Sequence, residues 1–303
     1  MSVAGAVAVR AYAKVNLCLA VSAAEPAGGP RTGWHRIASW FAPVELWDDV
    51  FLERRAGDAS GSTYVRAWGD GAVRPRPIDW PEERDLAVRA HRLLEQHTGR
   101  ALPIEMRVVK RIPTGAGLGG GSSDAAAVLR GVDALFDLGL GARALRGLSA
   151  RLGSDVAYFI PDGEGAGRLD APPPGALVLG FGDEIRSART PHGAITLIVP
   201  DFECPTASVY RAFDERPAGV FREAEAAELS SPTATGPIDP GSLFNDLWDG
   251  AVRVAPGLAG VASALQGQGH AWHLSGSGRT LFVLGSRGVR APAGCVALGT
   301  RFA

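Results

Sequence analysis

A glycine-rich segment at residues 113–124 is the feature that most constrains the fold of this chain. It reads Pro-Thr-Gly-Ala-Gly-Leu-Gly-Gly-Gly-Ser-Ser-Asp, with five glycines in seven residues. Before it, residues 104–108 alternate between apolar and charged side chains, which predicts a strand that extends to Ile112. After it, apolar residues recur with the helical period and predict an amphipathic helix: Ala125, Val128, Leu129, Val132 and Phe136.

A strand that passes through such a loop into a helix can build an anion-binding site. Glycine lacks a Cβ atom, so the loop can curl tightly and bring successive backbone N–H groups to one point. The start of the helix adds unbonded N–H groups and the positive end of its dipole. Ser122 and Ser123 can cap the helix or reach a phosphate-bound Mg²⁺. We therefore predict a phosphate-binding loop, against the alternative of an ordinary flexible loop.

Two common classes of phosphate-binding loop do not fit this segment. Gly115, Gly117 and Gly120 satisfy the GxGxxG pattern. A dinucleotide-binding fold, however, places that pattern after its first strand and an acidic residue about 20 positions later. Here the loop lies past residue 110, and the downstream segment is still predicted helix. A Walker A loop needs a lysine before its Ser or Thr, and the chain has no lysine after Lys110.

The composition excludes several classes of protein. The chain has 303 residues, 46% of them hydrophobic, which is enough for one or two domains with a buried core. Its net charge of −1 favours neither nucleic acid nor an anionic membrane as a partner. Three cysteines without CxxC spacing form neither a disulfide framework nor a zinc site. Because no apolar run approaches the roughly 20 residues that span a bilayer, we expect a cytoplasmic protein.

Lysine occurs only at Lys14 and Lys110, whereas 29 of the 31 basic residues are arginine. This bias indicates that arginine has replaced lysine at most positions. A lysine that is retained is either needed as a compact ammonium group or retained by chance. Residues 9–19 alternate strictly between apolar and polar side chains and predict a strand with one buried face. Lys14 and Asn16 then project from the same face of that strand.

The remaining pattern predicts mixed strands and helices in two α+β domains. Gly- and Pro-rich residues predict a loop at 25–34 and a domain boundary within 161–176. Polar residues at 54–82 predict loops with short edge strands, and residues 214–242 lack periodicity and predict an irregular insertion. Apolar periodicity predicts helices at 84–97, 142–152 (capped by Gly153), 244–255 and 257–266, and strands at 194–199 and 280–284.

The glycine-rich segment resembles the phosphate-binding motif of the GHMP small-molecule kinases. Five further segments match other motifs of that family in the same order: Ala13–Leu17 the opening strand, Gly33–His35 a Gly-Tyr-His segment, Leu152–Val156 a Gly-Ala-Asp-Val segment, Thr206–Tyr210 a substrate-side segment, and Ser275–Gly278 the C-terminal glycine motif. The resemblance covers most of the chain. Within the family, the chain is most similar to the branch whose acceptor carries a cytidine diphosphate group.

The resemblance implies an α+β fold of two domains with the active site in the cleft between them. A ribosomal-protein-S5-like domain that binds ATP is expected over residues 1–168, and a ferredoxin-like domain on the substrate side over residues 169–303. ATP and Mg²⁺ are the implied cofactors, and a monomer or homodimer is expected. The residues expected to bind ATP are Pro113, Gly115, Gly117, Leu118, Gly119, Gly120, Gly121, Ser122 and Ser123, with Ser122 as the Mg²⁺ contact.

Lys14 and Asp155 are the expected catalytic residues. Asp155 precedes the apolar run 156–160, which can seat a carboxylate beside buried surface, as a general base for a hydroxyl requires. The resemblance supplies Lys14 as its partner, whose ammonium can keep Asp155 ionised and stabilise a developing alkoxide. A plain buried ion pair is the structural alternative. Lys110 lies either near the nucleotide or at a solvated strand end.

For the acceptor, the resemblance implies a cytosine base stacked between Trp34 and Tyr210, with His35 bonded to the edge of the base. The structural alternative for Trp34 is a packing contact on a loop. Asn16 and Thr206 are expected to contact the substrate. Another GHMP kinase, or a homologue that binds ligand without turnover, is the alternative function.

The chain departs from the family pattern at a few positions. These are Thr32 where aspartate is usual, Trp34 for tyrosine, Ala157 for proline, and Asp85 for an asparagine that helps to read adenine. The departures bear on nucleotide and substrate specificity rather than on the class of reaction. His270 and His273 are interpreted as structural, because no third metal ligand accompanies them.

Overall fold

The computed structural model describes residues 5–55, 61–163, 167–217 and 219–303. Within these ranges the chain forms ten strands and seven α-helices. The strands are β1 (Ala6–Ala24), β2 (His35–Arg54), β3 (Thr63–Trp68), β4 (Ile104–Lys110), β5 (Ala176–Gly180), β6 (Glu184–Ser187), β7 (Ala194–Pro200), β8 (Trp272–Leu274), β9 (Leu281–Leu284) and β10 (Cys295–Arg301). The helices are α1 (Leu86–Thr98), α2 (Gly120–Phe136), α3 (Gly141–Ser149), α4 (Thr206–Asp214), α5 (Glu223–Leu229), α6 (Trp248–Val254) and α7 (Gly257–Gly267). Short 3₁₀ helices lie at Glu82–Arg84, Val156–Phe159 and Pro240–Ser242.

The chain divides into two compact units, neither of which is continuous in sequence. The first unit comprises the residues up to Ala13 together with Leu46–Thr114 and Gly119–Pro173. The second unit comprises Lys14–Glu45, Gly115–Leu118 and Pro174–Ala303. The chain therefore passes between the units five times: within β1, within β2, twice within the glycine-rich segment, and after Pro173. The linear boundary at residues 168 and 169 stays a prediction.

In the first unit, a sheet and the helices on it share one core. Residues 49–54 of β2 pair antiparallel with β4, and β4 pairs in parallel with β3. The alternation predicted for residues 104–108 is confirmed, since the apolar positions are buried and the charged ones exposed. Helix α2 approaches β2 closely at Gly131, where a Cβ would lie 2.5 Å from Leu52 Cδ1. Strand β4 and helix α2, at the two ends of the glycine-rich segment, are thus anchored in the same core.

Asp85, one of the departures from the family pattern, caps helix α1. Its Oδ1 accepts the backbone N–H groups of Ala87 at 2.9 Å and Val88 at 3.3 Å. Its Oδ2 accepts Trp80 Nε1–H at 2.9 Å and an Arg66 guanidinium N–H at 3.2 Å. Since side-chain oxygens of this kind satisfy the unbonded N–H groups of a helix start, Asp85 has a defined role within the fold.

In the second unit, residues 37–41 of β2 pair antiparallel with β5, which pairs with β6. A separate four-stranded antiparallel sheet has the order β10-β7-β9-β8. Strand β7 lies inside this sheet, and its residues after Ala194 are all buried. Burial of both faces explains why its sequence is continuously apolar rather than alternating.

Several predicted elements are corrected by the structure. Residues 35–54 form a long strand that the sequence did not predict, because residues 37–44 are buried without alternation. The helix predicted at 142–152 ends at Ser149, and its C-cap is Ala150 rather than Gly153. The helix predicted from residue 244 begins at Trp248. The segment predicted as an irregular insertion contains helix α5, although residue 218 in it lies outside the described residues.

Candidate functional site

Helix α2 begins inside the glycine-rich segment, at Gly120, and its start is open to a ligand. Its N-cap, Gly119, has a φ of 73°, a left-handed conformation that favours glycine. Within the described residues no side chain caps this terminus, so the first-turn N–H groups keep their capacity to bind an anion. Ser122 and Ser123 lie inside the first turn, so neither caps the helix. Ser123 is buried, whereas Ser122 is partly exposed and can reach a ligand.

Residues 115–118 belong to the second unit, where three consecutive carbonyl groups are bonded. The carbonyl of Leu118 accepts the backbone N–H of Lys14 at 3.0 Å. The carbonyl of Ala116 accepts the backbone N–H of Thr280 at 3.2 Å, and that of Gly117 accepts the hydroxyl of Ser275 at 3.0 Å. The backbone of this stretch is therefore fixed by hydrogen bonds within its own unit.

The same stretch meets the C-terminal glycine motif backbone to backbone. A Cβ at Gly278 would lie 2.2 Å from Gly117 N and 2.3 Å from Ala116 C. Gly117 has a φ of 79°, and a Cβ there would lie 2.1 Å from Ser275 O. Only glycine allows this approach from either side. Two of the predicted motifs, far apart in sequence, are thus one structural element.

Lys14 and Asn16 project from the same face of β1, as the alternation predicts. The expectation of a single buried face is wrong, because both faces are buried from Ala11 to Ser22. Lys14 Nζ donates to Asn16 Oδ1 at 2.6 Å and lies 4.5 Å from the centroid of the Phe41 ring. Asn16 Nδ2 donates to Ser39 Oγ at 2.9 Å, and that hydroxyl donates to Cys18 O at 2.5 Å. A chain of hydrogen bonds and an aromatic face together hold the ammonium group in one position.

His35 and Tyr210, two predicted substrate residues, are brought together by the structure. Their rings lie 5.1 Å apart between centroids, with an angle of 38° between the planes. His35 Nδ1 lies 2.9 Å from Ser22 O, and because a carbonyl only accepts, this nitrogen carries a proton. His35 Nε2 lies 3.4 Å from Asp214 Oδ1. The hydrogen bond to Ser22 O therefore fixes the orientation of the ring, and Nε2 faces the Asp214 carboxylate.

Trp34, the other predicted stacking residue, is 52% exposed. Its ring packs edge-on against Phe181, with centroids 6.1 Å apart. The Arg31 guanidinium lies 4.0 Å from the centroid of Phe181 and pairs with Asp183 at 3.2 Å. These contacts attach the loop at 25–34 to the turn after β5 and leave much of the indole surface accessible.

Thr206 begins helix α4, and its hydroxyl accepts a hydrogen bond from Ser277 Oγ at 2.9 Å. Tyr210 lies one helical turn further along, so the two side chains share a face of α4. The predicted substrate residues of this helix are thus on the side of the C-terminal glycine motif.

Asp155 lies in the first unit, at the N-cap of the 3₁₀ helix Val156–Phe159. Ser154 Oγ donates to its Oδ1 at 3.3 Å. The carboxylate is partly exposed, whereas the five residues that follow are all buried. This position beside buried apolar surface is the one that the sequence leads us to expect, and the role of Asp155 as a base stays a prediction.

Lys110 is buried, so the alternative of a solvated strand end is wrong. Its Nζ donates to Asp48 Oδ2 at 2.6 Å and to Asp124 Oδ2 at 2.5 Å. Burial alone would lower the pKa of Lys110, but the carboxylates of Asp124 and Asp48 outweigh it and raise this pKa above its ordinary value. Burial raises the pKa of Asp124 above its ordinary value, and the Lys110 ammonium opposes this shift and favours the ionised carboxylate.

His273 is partly buried, which agrees with its interpretation as a structural residue rather than a metal ligand. Its ring lies 5.3 Å from that of Phe282, and burial lowers its pKa to about 4, so the imidazole is neutral at pH 7. In the part of the chain that the structure describes, no group of three or more His, Cys, Asp or Glu side chains is placed to hold a metal ion.

Several residues that shape the site carry no sequence signal. Ser39 and Asp214 hold Asn16 and His35, yet neither lies in a motif. Asp48 is 62 positions from the lysine that it binds. Each acts as the partner of a motif residue, and only the folded chain brings such partners together.

Comparisons with known proteins find a family model and relatives that match this chain. Residues 85–163 match the family described as GHMP kinases N terminal domain. A protein of Xanthomonas axonopodis pv. citri (strain 306), named 4-diphosphocytidyl-2-C-methyl-D-erythritol kinase, is 32% identical over 274 residues, which cover 90% of this chain and 80% of that protein. A protein of the same name from Paenarthrobacter aurescens (strain TC1) is 30% identical over 305 residues, which cover 94% of this chain and 87% of that one.

Solved structures give the same result. A crystal structure of 4-(cytidine 5'-diphospho)-2C-methyl-D-erythritol kinase matches with a TM-score of 0.69 at 28% identity, over 97% of this chain and 98% of that one. Homoserine kinase from Cytophaga hutchinsonii ATCC 33406 matches with a TM-score of 0.66 at 16% identity, over 100% and 96% of the two chains, which is a likeness of fold alone. The α+β fold expected from the sequence is confirmed. Among the described residues, no helix is both long and apolar enough to cross a membrane.

Proposed function

Since the chain belongs to the 4-diphosphocytidyl-2-C-methyl-D-erythritol kinase family, we propose that it transfers the γ-phosphoryl group of ATP to the 2-hydroxyl of 4-diphosphocytidyl-2-C-methyl-D-erythritol. This step belongs to the non-mevalonate route to isoprenoid precursors. The observation that carries the proposal is identity of at least 30% with two kinases of this name, over at least 90% of this chain.

The glycine-rich segment and the start of α2 bind the triphosphate of ATP in this proposal. Phosphoryl transfer depends mostly on positioning and on neutralising charge. The uncapped first turn of α2 supports such a role, because its N–H groups and dipole favour an anion. The hydroxyl of Ser122 is an oxygen ligand of the type that Mg²⁺ takes beside phosphate oxygens. When bound, Mg²⁺ would neutralise charge on the phosphates.

Asp155 is the general base of the proposed reaction. Its carboxylate takes the proton of the acceptor hydroxyl as that oxygen attacks the γ-phosphorus, and ADP leaves with the electron pair of the broken P–O bond. Partial exposure supports this role, because the acceptor must reach the carboxylate. Lys14 stabilises the charge that develops on the attacking oxygen. Its fixed position beside Asn16 supports this role, because a preorganised charge needs no rearrangement during the reaction.

The cytidine diphosphate group of the acceptor is bound by the second unit in this proposal. Trp34 and Tyr210 stack on the cytosine, and the accessible indole of Trp34 supports that role. His35 bonds to the edge of the base, with its ring orientation set by Ser22 O. Asn16 and Thr206 contact the remainder of the substrate.

The test is a coupled ADP-release assay with Mg·ATP and 4-diphosphocytidyl-2-C-methyl-D-erythritol, with ³¹P NMR of the product. We expect ADP release that depends on the acceptor, a new phosphomonoester signal, and competition by cytidine nucleotides. Turnover of other alcohols without any effect of cytidine nucleotides would indicate another GHMP kinase. Binding of the acceptor without turnover would indicate a non-catalytic homologue.

A further inference from the structure

Lys110, Asp48 and Asp124 form a buried ionic cluster that the proposed reaction does not use. The three side chains come from β4, β2 and α2, and their exposed fractions are only 6%, 0% and 7%. The Lys110 ammonium lies within 2.6 Å of one oxygen of each carboxylate. Lys110 is the last residue of the strand before the glycine-rich segment, and Asp124 is the last residue of that segment and lies in helix α2.

Asp48 holds the strand end through its second oxygen. Its Oδ1 accepts the backbone N–H groups of Arg111 and of Ile112, the latter at 2.8 Å. The start of α2 packs on the same point, since a Cβ at Gly120 would lie 2.9 Å from Ile112 Cγ2. The two ends of the glycine-rich segment are therefore in contact, and the ionic cluster ties one to the other.

Stability alone does not explain Asp124. Its Oδ1 is buried and has no hydrogen-bond partner among the described residues. A buried polar atom without a partner costs free energy of folding, and well-packed apolar residues often replace buried ion pairs without loss of stability. A carboxylate kept here, with one oxygen unsatisfied, indicates that its bond to Lys110 serves something other than stability.

The lysine at position 110 also indicates a role other than stability. Arginine stands at 29 of the 31 basic positions, yet position 110 keeps lysine. A compact ammonium fits between two carboxylates 2.5 and 2.6 Å away, whereas a planar guanidinium needs more space and a different arrangement of acceptors. A lysine ammonium therefore suits the observed spacing between the strand end and the helix start.

We propose that Lys110 is a positioning residue for ATP, which acts through Asp48 and Asp124. The cluster holds the end of β4 and the start of α2 at the separation at which the segment between them binds a triphosphate. Lys110 acts through the loop ends in this proposal and does not need to touch the nucleotide. The inference rests on the proposed kinase function, because the loop must bind ATP.

The bond between Lys110 and Asp124 is tested by comparing Asp124→Leu with Asp124→Asn. Asparagine keeps an oxygen that accepts from Lys110, whereas leucine has the same branching without any acceptor. Binding of the ATP analogue AMP-PNP is measured by isothermal titration calorimetry, without acceptor, together with the melting temperature. We expect the Kd for AMP-PNP to rise at least tenfold in Asp124→Leu and to stay within threefold of wild type in Asp124→Asn. In steady-state assays of Asp124→Leu, we expect the KM for ATP to rise at least tenfold as well, and the KM for the acceptor to stay within twofold of wild type.

Tyr64→Phe is the matched control for lost stability. It removes a hydrogen bond of 2.9 Å to the buried His91 in the same unit. We expect a lower melting temperature and an unchanged Kd for AMP-PNP. Lys110→Arg tests the size argument, and we expect it to weaken AMP-PNP binding although the positive charge is kept. If Asp124→Leu does not fold, the smaller Asp124→Ala provides the same comparison.

A folded Asp124→Leu protein with the wild-type Kd for AMP-PNP would overturn the proposal. An equal rise of Kd in Tyr64→Phe would also overturn it, because any loss of stability would then weaken binding. These outcomes are separate from a failure of the proposed function. Wild-type protein that binds AMP-PNP but does not phosphorylate the acceptor would refute the proposed reaction and leave the role of Lys110 intact.

Discussion

The close approach of Gly278 to the glycine-rich segment makes Gly278→Ala a sharp test of the site. A Cβ at this position would lie 2.2 Å from Gly117 N and 2.5 Å from Ala116 O. Both are backbone atoms, so no side-chain rotation relieves the overlap. Ordinary van der Waals contact begins at 3.4 Å, so the two backbones must separate by about 1.2 Å. Misplacement of a substrate by about 1 Å can cost on the order of 100-fold in rate.

We therefore expect kcat/KM for ATP to fall about 100-fold in Gly278→Ala. The assay measures initial rates of ADP release against ATP concentration with saturating acceptor. Gly260→Ala is the matched control, because Gly260 lies in helix α7 of the same unit and a Cβ there meets nothing within 4 Å. Alanine in a helix interior is more stable than glycine by roughly 0.5–1 kcal/mol, so this control should fold at least as well as wild type.

Wild-type kinetics in Gly278→Ala would refute the reasoning, since the loop would then tolerate a shift that we expect to displace the triphosphate. An equal loss in Gly260→Ala would refute it as well, because that substitution touches no part of the loop.

Three further outcomes are expected. Asp155→Asn should lower kcat at least ~100-fold while AMP-PNP binding is kept, since general-base catalysis contributes about 10²–10⁴-fold; near-normal turnover would remove Asp155 from that role. Trp34→Ala should raise the KM for the cytidyl substrate and leave the KM for ATP unchanged, whereas equal changes in both would mean that the stacking assignment is wrong. His273 has a native pKa of about 4 against an ordinary value of 6.5, so the unfolded chain binds the proton first and stability falls as the pH drops through this window. Between pH 7 and 5 the free energy of unfolding of wild type should fall by about 2 kcal/mol more than that of His273→Phe, as measured by urea denaturation at each pH. Equal decreases in the two proteins would contradict the buried neutral imidazole.

A strand with one buried face was the most predictable part of the fold. Residues 104–108 alternate because only one side of β4 packs on the core. Helix α2 was also predicted from its apolar period, although its residues 123–132 are all buried. Residues 37–44 of β2 have no period because all of them are buried, and a continuous apolar run does not distinguish a strand from a helix. Helix α5 has only seven residues and one buried position, so its apolar signal is too weak to detect.

In the candidate site, the features that depend on neighbouring residues were predictable, and the contacts between residues far apart in sequence were not. The open helix start and the pairing of Lys14 with Asn16 follow from local patterns, and both were expected from the sequence. The contact of Gly278 with Gly117 was not expected, because it joins residues about 160 positions apart through backbone atoms alone. The acceptors of Lys110 were likewise not predictable, since a carboxylate at one position carries no information about which distant cation it meets.

The interleaved division of the chain has a consequence for how it is made. The first unit has all of its residues once Pro173 has been synthesised. The second unit receives Lys14–Glu45 early but must wait for Pro174–Ala303, so its first strands leave the ribosome long before their partners exist. Those residues include 37–44, which are apolar except for Ser39 and are buried in the folded chain. They lack their partner strand β5 for more than a hundred further rounds of elongation. We therefore expect chaperones that shield nascent apolar strands to bind this polypeptide during translation, and a message truncated near codon 173 to yield an aggregation-prone fragment rather than a folded first unit.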